Sequence, residues 1–423
     1  MGSLNTATQF KQEVCMRDDS SASRFEPAGF PFARLNPLDP PPEYARLRSE
    51  APMARAKLYN GEEVWLVTRW KDVREVLASP HFSVDPGKKG YPSASAARAA
   101  EVQSRKTFIN MDAPDHMRIR RMLTRDFMQK RMIEMRPMVQ KKVDELIDKM
   151  IRKGPPADFV EDLAAPLPVH VISIMLGVPA EDQEMLREWS RIRNTHSYSP
   201  EEIRQASQSM EAHLEKLIAQ KEAHPGADML TRLVEEQIKP GHATREEVAR
   251  LGSLLYAAGH ETTTNQLGLS LLSLLLDPEQ RALLESNPAM MATAIEEMLR
   301  FHSITQFNSA RVATADVEIG GHLIRAGEGV YALVAAANRD PEAFPDPDRF
   351  DIQRNPKNAH VAFAYGPHQC LGQPLARLEM DVVISTLFKR LPGLELAVPL
   401  ESLKYNFMTQ VHGLQALPVA WKA

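Results

Sequence analysis

Between positions 363 and 372 the chain reads Phe363-Ala-Tyr-Gly366-Pro-His368-Gln-Cys370-Leu-Gly372. One cysteine stands between two glycines, and a helical pattern over 373–391 begins directly after it. Glycine lets the backbone turn tightly and lets a flat cofactor come close. N–H groups at a helix start point toward a thiolate and stabilise its charge. Phe363 supplies an aromatic wall, and His368 a cation or donor two residues before the sulfur. These residue types at these offsets suit one anionic sulfur presented to the iron of a haem. The plainer alternative is an inert cysteine on a glycine-rich turn.

Three more groupings carry chemical potential. Ala257-Ala258-Gly259-His260-Glu261-Thr262-Thr263 lies inside the longest apolar-periodic segment. A glycine costs a helix about 1 kcal/mol relative to alanine, and threonine donates to a carbonyl one turn back, so a local bend is expected there. A zinc-protease reading of His260-Glu261 fails, because Thr264 stands where the second histidine is needed. Glu297 and Arg300 fall three apart on one helix face, which in isolation is a surface pair worth a few tenths of a kcal/mol. His116 and Arg120 are four apart on a basic helical stretch, with Arg118 and Arg121 beside them.

The cysteine stretch resembles the haem-binding loop of the cytochrome P450 superfamily, with the other groupings in family order over 31–421. Ala364 departs from the second glycine common in that loop. The resemblance implies haem b (iron-protoporphyrin IX) with Cys370 as axial ligand and Phe363, Gly366 and Gly372 shaping its cradle. It implies that Ala258 and Gly259 form a groove for dioxygen, that Thr262 hydrogen-bonds it and organises water, and that Glu261 relays protons. Glu297 and Arg300 become a buried structural network, completed by an arginine for which Arg349 is the better match and Arg354 the weaker. His116, Arg120, Arg311 and His368 become the cations for the two propionates. Arg118 and Arg121 remain either a solvated face or part of a docking patch for an acidic redox partner.

The elements that must position these groups are mostly helices. A long helix opens at the capping box Thr244-Arg-Glu-Glu247 and stops at Asp277-Pro278; about 32 residues at 1.5 Å each span roughly 48 Å. Ser199-Pro200-Glu201-Glu202 starts another, running to about 224, after a connection over 194–198. Helical patterns cover 43–50 and 115–153, and another begins after Pro288 and ends at the Glu297/Arg300 pair. Strand-like pieces fall at 53–57 and 64–68, turning at Asn60-Gly61, and at 317–319, 322–324 and 329–333. Residues 81–106 read as a mobile loop, a length usually tied to function. The expected fold is mainly α with small β-sheets: the P450 fold, a triangular helix-rich prism holding haem between the long central helix and the cysteine loop. Residues 1–24 are expected to be a disordered tail and 25–423 one domain.

Composition narrows the class. The 423 residues are 43% hydrophobic and 25% charged, with a net charge of −4, enough for a large core and without a basic run for nucleic acid. Cys15 and Cys370 are the two cysteines, which supports neither a disulfide framework nor a zinc site. No segment approaches the roughly 20 apolar residues a membrane span needs. The expectation is a soluble cytoplasmic monomer.

The activity implied is a monooxygenase inserting one atom of dioxygen into an organic substrate. Its electrons come from NAD(P)H through separate proteins, a ferredoxin and its reductase. The chain is also similar to fungal nitric-oxide reductases of the superfamily, through its N-terminal loop and Glu236-Gln-Ile-Lys-Pro-Gly241. Lys88-Lys89 could there guide hydride transfer from NADH, although those enzymes lack an acid at the position of Glu261. A non-catalytic haem protein that binds a ligand is the third alternative. Pocket segments implied by the resemblance are 82–108, 187–210, 251–256, 303–308 and 407–413, and Gln306, Asn308, Gln410 and His412 hint at a substrate with hydrogen-bonding groups.

Overall fold

The computed structural model describes residues 29–36, 38–104, 107–194, 198–406 and 410–422. The expected tail over 1–24 lies outside them, as do 195–197 of the expected helix connection.

The helices in chain order are α1 Pro42–Glu50, α2 Trp70–Ala78, α3 Ala96–Ser104, α4 Asp115–Thr124, α5 Gln129–Lys153, α6 Pro166–Leu176 and α7 Gln183–Asn194. They continue with α8 Pro200–Ala223, α9 Met229–Leu233, α10 Arg245–Leu276, α11 Pro278–Ser286, α12 Met291–His302, α13 Val334–Ala337 and α14 Gln373–Arg390. Both capping boxes form. Thr244 accepts from the Glu247 N–H at 3.1 Å while Glu247 accepts from the Thr244 N–H at 2.9 Å, and Ser199 with Glu202 repeats the arrangement. These caps supply partners for N–H groups that the helix itself leaves unpaired.

The strands are β1 Met53–Lys57, β2 Glu63–Val67, β3 Phe82–Ser83, β4 Ala157–Asp158, β5 Ala310–Ala313, β6 Val317–Ile319, β7 His322–Ile324, β8 Gly329–Ala332, β9 Glu395–Leu396 and β10 Pro418–Ala420. The main sheet has the order β1-β2-β8-β5-β3. β2 runs parallel to β8, with Trp65 opposite Val330, and the other pairs in this sheet are antiparallel.

The mobile loop expected over 81–106 is instead built structure. Phe82 and Ser83 pair with Ala313 and Val312, and a Cβ on Gly90 would collide with the Gly327 backbone. α3 then follows. Its alanines favour helix, yet among its residues only Val102 is a large buried apolar anchor, so it carries no periodic stripe to read.

One apolar core draws on α5, α6, α8, α10, α12 and α14. α10 runs through it, and from Thr263 to Leu274 every residue is buried, the pattern of a helix enclosed on all sides. α14 packs against α5, α10 and α12, which places the loop before α14 among these helices. No helix among the described residues is long and apolar enough to cross a membrane.

Candidate functional site

Cys370 sits on a short loop fixed at both ends. Its N–H donates to the Phe363 carbonyl at 2.9 Å, closing the turn. Ala364 and Gly366 both take positive φ, 58° and 75°. At Gly366 a Cβ would stand 2.8 Å from the Leu77 carbonyl oxygen and 2.9 Å from Ala78 Cα, so α2 presses on this turn and only glycine fits. Ala364 tolerates left-handed backbone here without being glycine, which accounts for the departure from the common loop. The thiol is accessible, although burial pushes its pKa up, opposed by the Gly372 N–H, the charges of Arg120 and Arg377, and the Gln373 N–H. A metal bound at this accessible sulfur would supply the charge that keeps it ionised.

The expected propionate cations do converge. The rings of His116 and His368 lie 3.9 Å apart. Burial, then His116, Arg311 and Arg120, push the His368 pKa down to about 3. Burial, then Arg120, lowers that of His116, whose Nε2 is buried without a partner. Arg311 is buried, with Tyr91 and Asp112 as the groups that favour its charge. Two arginine charges and two imidazoles with room to take up protons, crowded beside the cysteine, suit an anion of more than one charge, which a pair of propionates provides. The residues present fit a haem.

On α10 the run 257–262 breaks the burial seen beyond it: Ala258 is exposed, Ala257, Gly259, Glu261 and Thr262 are half-buried, and His260 alone is buried. A Cβ on Gly259 would meet nothing within 4 Å, so this side of the helix opens onto space. Thr262 Oγ1 donates to the Ala258 carbonyl at 2.6 Å, the expected back-bond, and the helix continues through it. Burial pushes the Glu261 carboxyl up to about 8, which favours its protonated form.

Glu297 and Arg300 are buried, at 2% and 1% exposure, and meet in a forked pair of 2.7 and 2.8 Å. Arg300 also donates to the carbonyls of Asn338, Pro347 and Arg349. The completing arginine is Arg354, not Arg349. Arg354 Nε donates to both Glu297 oxygens at 3.2 and 3.0 Å, whereas Arg349 is exposed and offers its backbone carbonyl to Arg300 and Arg354. The turn closed by Arg349 N–H on the Asp346 carbonyl leaves the Arg349 side chain outside, and the chain passes through buried Phe350 before Arg354 reaches the network.

A brace that the sequence did not disclose lies beside it. Burial would raise the Glu296 carboxyl, but Arg377 and His360 hold it down to about 2. Arg377 grips Glu296 with two bonds of 2.6 and 2.9 Å and lies over the Phe363 ring at 4.8 Å, tying α12 to the cysteine loop. The available signal was Arg377 seven residues past Cys370, within reach of the loop on the second turn of α14. Arg118 donates to Glu247 at 3.0 Å and to the His242 carbonyl, joining α4 to the start of α10. Arg121 is exposed.

The polar pocket residues point to protein partners. Gln306 accepts from Arg34 Nε at 3.1 Å. His412 is fully buried beside the Asn406 carbonyl. With its amide oxygen toward Arg98, Gln410 accepts from that guanidinium at 2.9 Å and donates to Asn308 at 2.8 Å. Residues 407–409 of the last pocket segment lie outside the described residues.

Comparison with known proteins agrees with this geometry. The cytochrome P450 family model matches residues 182–396. Cytochrome P450-SU2 of Streptomyces griseolus is 43% identical over 385 residues, 91% of this chain and 94% of that protein. Vitamin D3 dihydroxylase of the same species is 40% identical over 393 residues, covering 93% and 96%. Cytochrome P450 GfsF of Streptomyces halstedii is 41% identical over 388 residues, 91% and 94%, and a crystal structure of GfsF has a TM-score of 0.89 at 40% identity, covering 93% of this chain and 100% of that one. A cysteine loop, a basic cluster beside it and a half-open helix carrying an acid and a hydroxyl thus coincide with close likeness over nine-tenths of the chain: it belongs to the cytochrome P450 superfamily, as a bacterial-type haem-thiolate monooxygenase.

Proposed function

We propose that this chain is a three-component monooxygenase. A ferredoxin, reduced from NAD(P)H by its reductase, supplies two electrons, and the product is a hydroxylated small organic molecule. We further read residues 25–423 as one haem-thiolate domain of a soluble cytoplasmic monomer. The observation that carries the proposal is the pair Glu261–Thr262 on the open side of α10: an acid pushed up to about 8 by burial next to a hydroxyl anchored on Ala258.

Cys370 would hold the iron of haem b, with His116, Arg120, Arg311 and His368 at its carboxylates. Phe363 would wall the ligand loop, and Gly366 and Gly372 would let it turn. When bound, such a haem supplies dioxygen activation, which thiolate ligation favours by donating electron density. The protein's part is proton management and exclusion of water. Glu261 brings a proton to the inside of α10. Thr262 spends its hydrogen on Ala258, so its oxygen is left to accept a bond from water or from an incoming proton donor. Ala258 and Gly259 leave room there because neither projects a side chain beyond Cβ. Glu297, Arg300 and Arg354 fix the scaffold on which the cysteine loop rests.

The name of one relative, vitamin D3 dihydroxylase, supports hydroxylation as the reaction type. Glu261 weighs against the nitric-oxide-reductase alternative, even though Lys88 and Lys89 are exposed. The test is reconstitution of the haem-loaded protein with ferredoxin, reductase and NADPH, using compounds chosen for an optical shift on binding. Ferredoxin-dependent product carrying one atom from labelled dioxygen is expected. Rapid NADH oxidation with nitric oxide in the absence of any partner would reverse the assignment.

A further inference from the structure

Glu296 and Arg377 place one charge of each sign beside the cysteine loop. Arg377 Nε and Nη2 hold the Glu296 carboxylate at 2.6 and 2.9 Å, while Nη1 donates to Gln373 Oε1 at 2.9 Å. The guanidinium also lies 4.8 Å from the centre of the Phe363 ring. Both of these neighbours lead to the sulfur. The Phe363 carbonyl accepts the Cys370 N–H at 2.9 Å, and the Gln373 N–H is among the donors that favour the thiolate. On the other side of the pair, His360 Nε2 lies 3.1 Å from Glu296 Oε2. The Ala362 N–H donates to Nδ1 of that ring at 3.2 Å, which leaves Nε2 to donate to the carboxylate.

Burial separates this pair from the Glu297 network next to it. Arg300 and Glu297 are shut away from water, whereas Arg377 and Glu296 keep 32% and 45% of their side chains exposed. A pair that open adds little to stability, and the Glu297 network already fixes the scaffold. What sets it apart is its place. The Arg377 charge reaches the sulfur and favours its ionised form, and Glu296 reaches the loop through Arg377. Reducing a ferric haem–thiolate adds one electron and no proton, so the group gains one negative charge, and positive charge nearby favours that state. Charges and hydrogen bonds around a metal's ligand are among the levers a protein has on the metal.

We propose that the Glu296–Arg377 pair sets the reduction potential of the iron held by Cys370, with Glu296 as the positioning residue that aims the Arg377 charge and cancels part of it. This depends on haem ligation at Cys370 and not on which protein supplies the electrons. The haem-loaded wild type, Glu296→Gln, Glu296→Asp, Arg377→Gln and the Glu296→Gln/Arg377→Gln double variant are titrated with dithionite in the presence of redox dyes. The reduced carbon-monoxide spectrum of each, recorded at known haem content, keeps a failure of thiolate ligation apart from a failure of the charge pair.

Glu296→Gln should be easier to reduce, its ferrous-to-ferric ratio at a fixed potential rising about threefold or more, the effect of one charge partly screened by water. Arg377→Gln should move that ratio the other way by a similar factor, and the double variant should return toward wild type. Glu296→Asp keeps the charge and should stay near wild type. A merely structural brace would move both single variants in the same direction. Shifts of the same sign, or no shift in Glu296→Gln with the thiolate band retained, would overturn the proposal. Should Arg377→Gln fail to take up haem, Glu296→Gln against Glu296→Asp decides it: equal potentials in those two would refute the role of the charge.

Discussion

Replacing Arg354 by alanine tests the geometry of the buried network most sharply, because Arg349 is an internal control five residues away. Glu297 is 2% exposed and accepts from Arg300, Arg354 and the Asp351 N–H. Removing Arg354 leaves the carboxylate with Arg300 and one amide. It also releases the carbonyls of Pro345, Asp346 and Arg349, to which Arg354 donates. Those carbonyls lie at the surface and find water, so the loss is that of a charged hydrogen-bond pair, about 2–3 kcal/mol. Unfolding entropy of about 2.1 cal/mol/K per residue over 423 residues converts this to roughly 2–3 °C in Tm. Arg349→Ala removes an exposed side chain whose backbone carbonyl stays in place, and should stay within about 0.5 kcal/mol. The assay is denaturant unfolding of the haem-loaded protein at matched loading, with loading efficiency recorded after expression. Equal losses in the two variants, or a larger loss for Arg349→Ala, would refute the assignment of Arg354 to Glu297.

Three other perturbations probe the site. Thr262→Ala should leave ligand-induced optical shifts intact while diverting reductant to peroxide at least several-fold more than wild type; tightly coupled product formation would contradict its role. Glu261→Gln should change the pH dependence of stability in the protein freed of haem. The wild-type carboxyl titrates near 8 when folded and near 4.3 when unfolded, so between about pH 4.5 and 8 the folded state binds the extra proton. Wild-type stability therefore falls relative to the glutamine variant as pH rises through that window and levels above it; a constant difference from pH 5 to 9 counts against the burial of this acid. Gly366→Ala would place a methyl 2.8 Å from the Leu77 carbonyl oxygen on a positive-φ backbone, so haem loading should fall by more than half, whereas normal loading would mean the turn is free to relax.

The local rules carried much of this fold. Both capping boxes and the 32-residue α10 follow from residue types at adjacent positions, where hydrogen-bond chemistry is settled within one turn. The cysteine loop was legible for the same reason: its glycines, histidine and sulfur act within ten residues. What failed were statements about where a chain goes between regular elements. Arg349 and Arg354 are both arginines after a proline-rich turn, and only the tertiary path through Phe350 decides which reaches Glu297. The stretch 81–106 hid β3 and α3 because a two-residue strand and an alanine-rich helix carry no periodic apolar signal. The Glu296–Arg377 brace and the Arg118–Glu247 link join residues 81 and 129 apart in sequence, and no pattern in one sequence pairs them. Polar residues of the pocket segments suggested substrate contacts, yet Gln306, Gln410 and His412 bond to the protein itself.

The reduced, carbon-monoxide-bound spectrum of the wild type beside Cys370→Ser reports on the axial ligand directly. A thiolate-type band in the wild type that is lost in the serine variant is the outcome expected from the accessible sulfur, its N–H donors and the cations around it. The same band in both proteins would move the iron away from Cys370, and with it every role assigned around that loop.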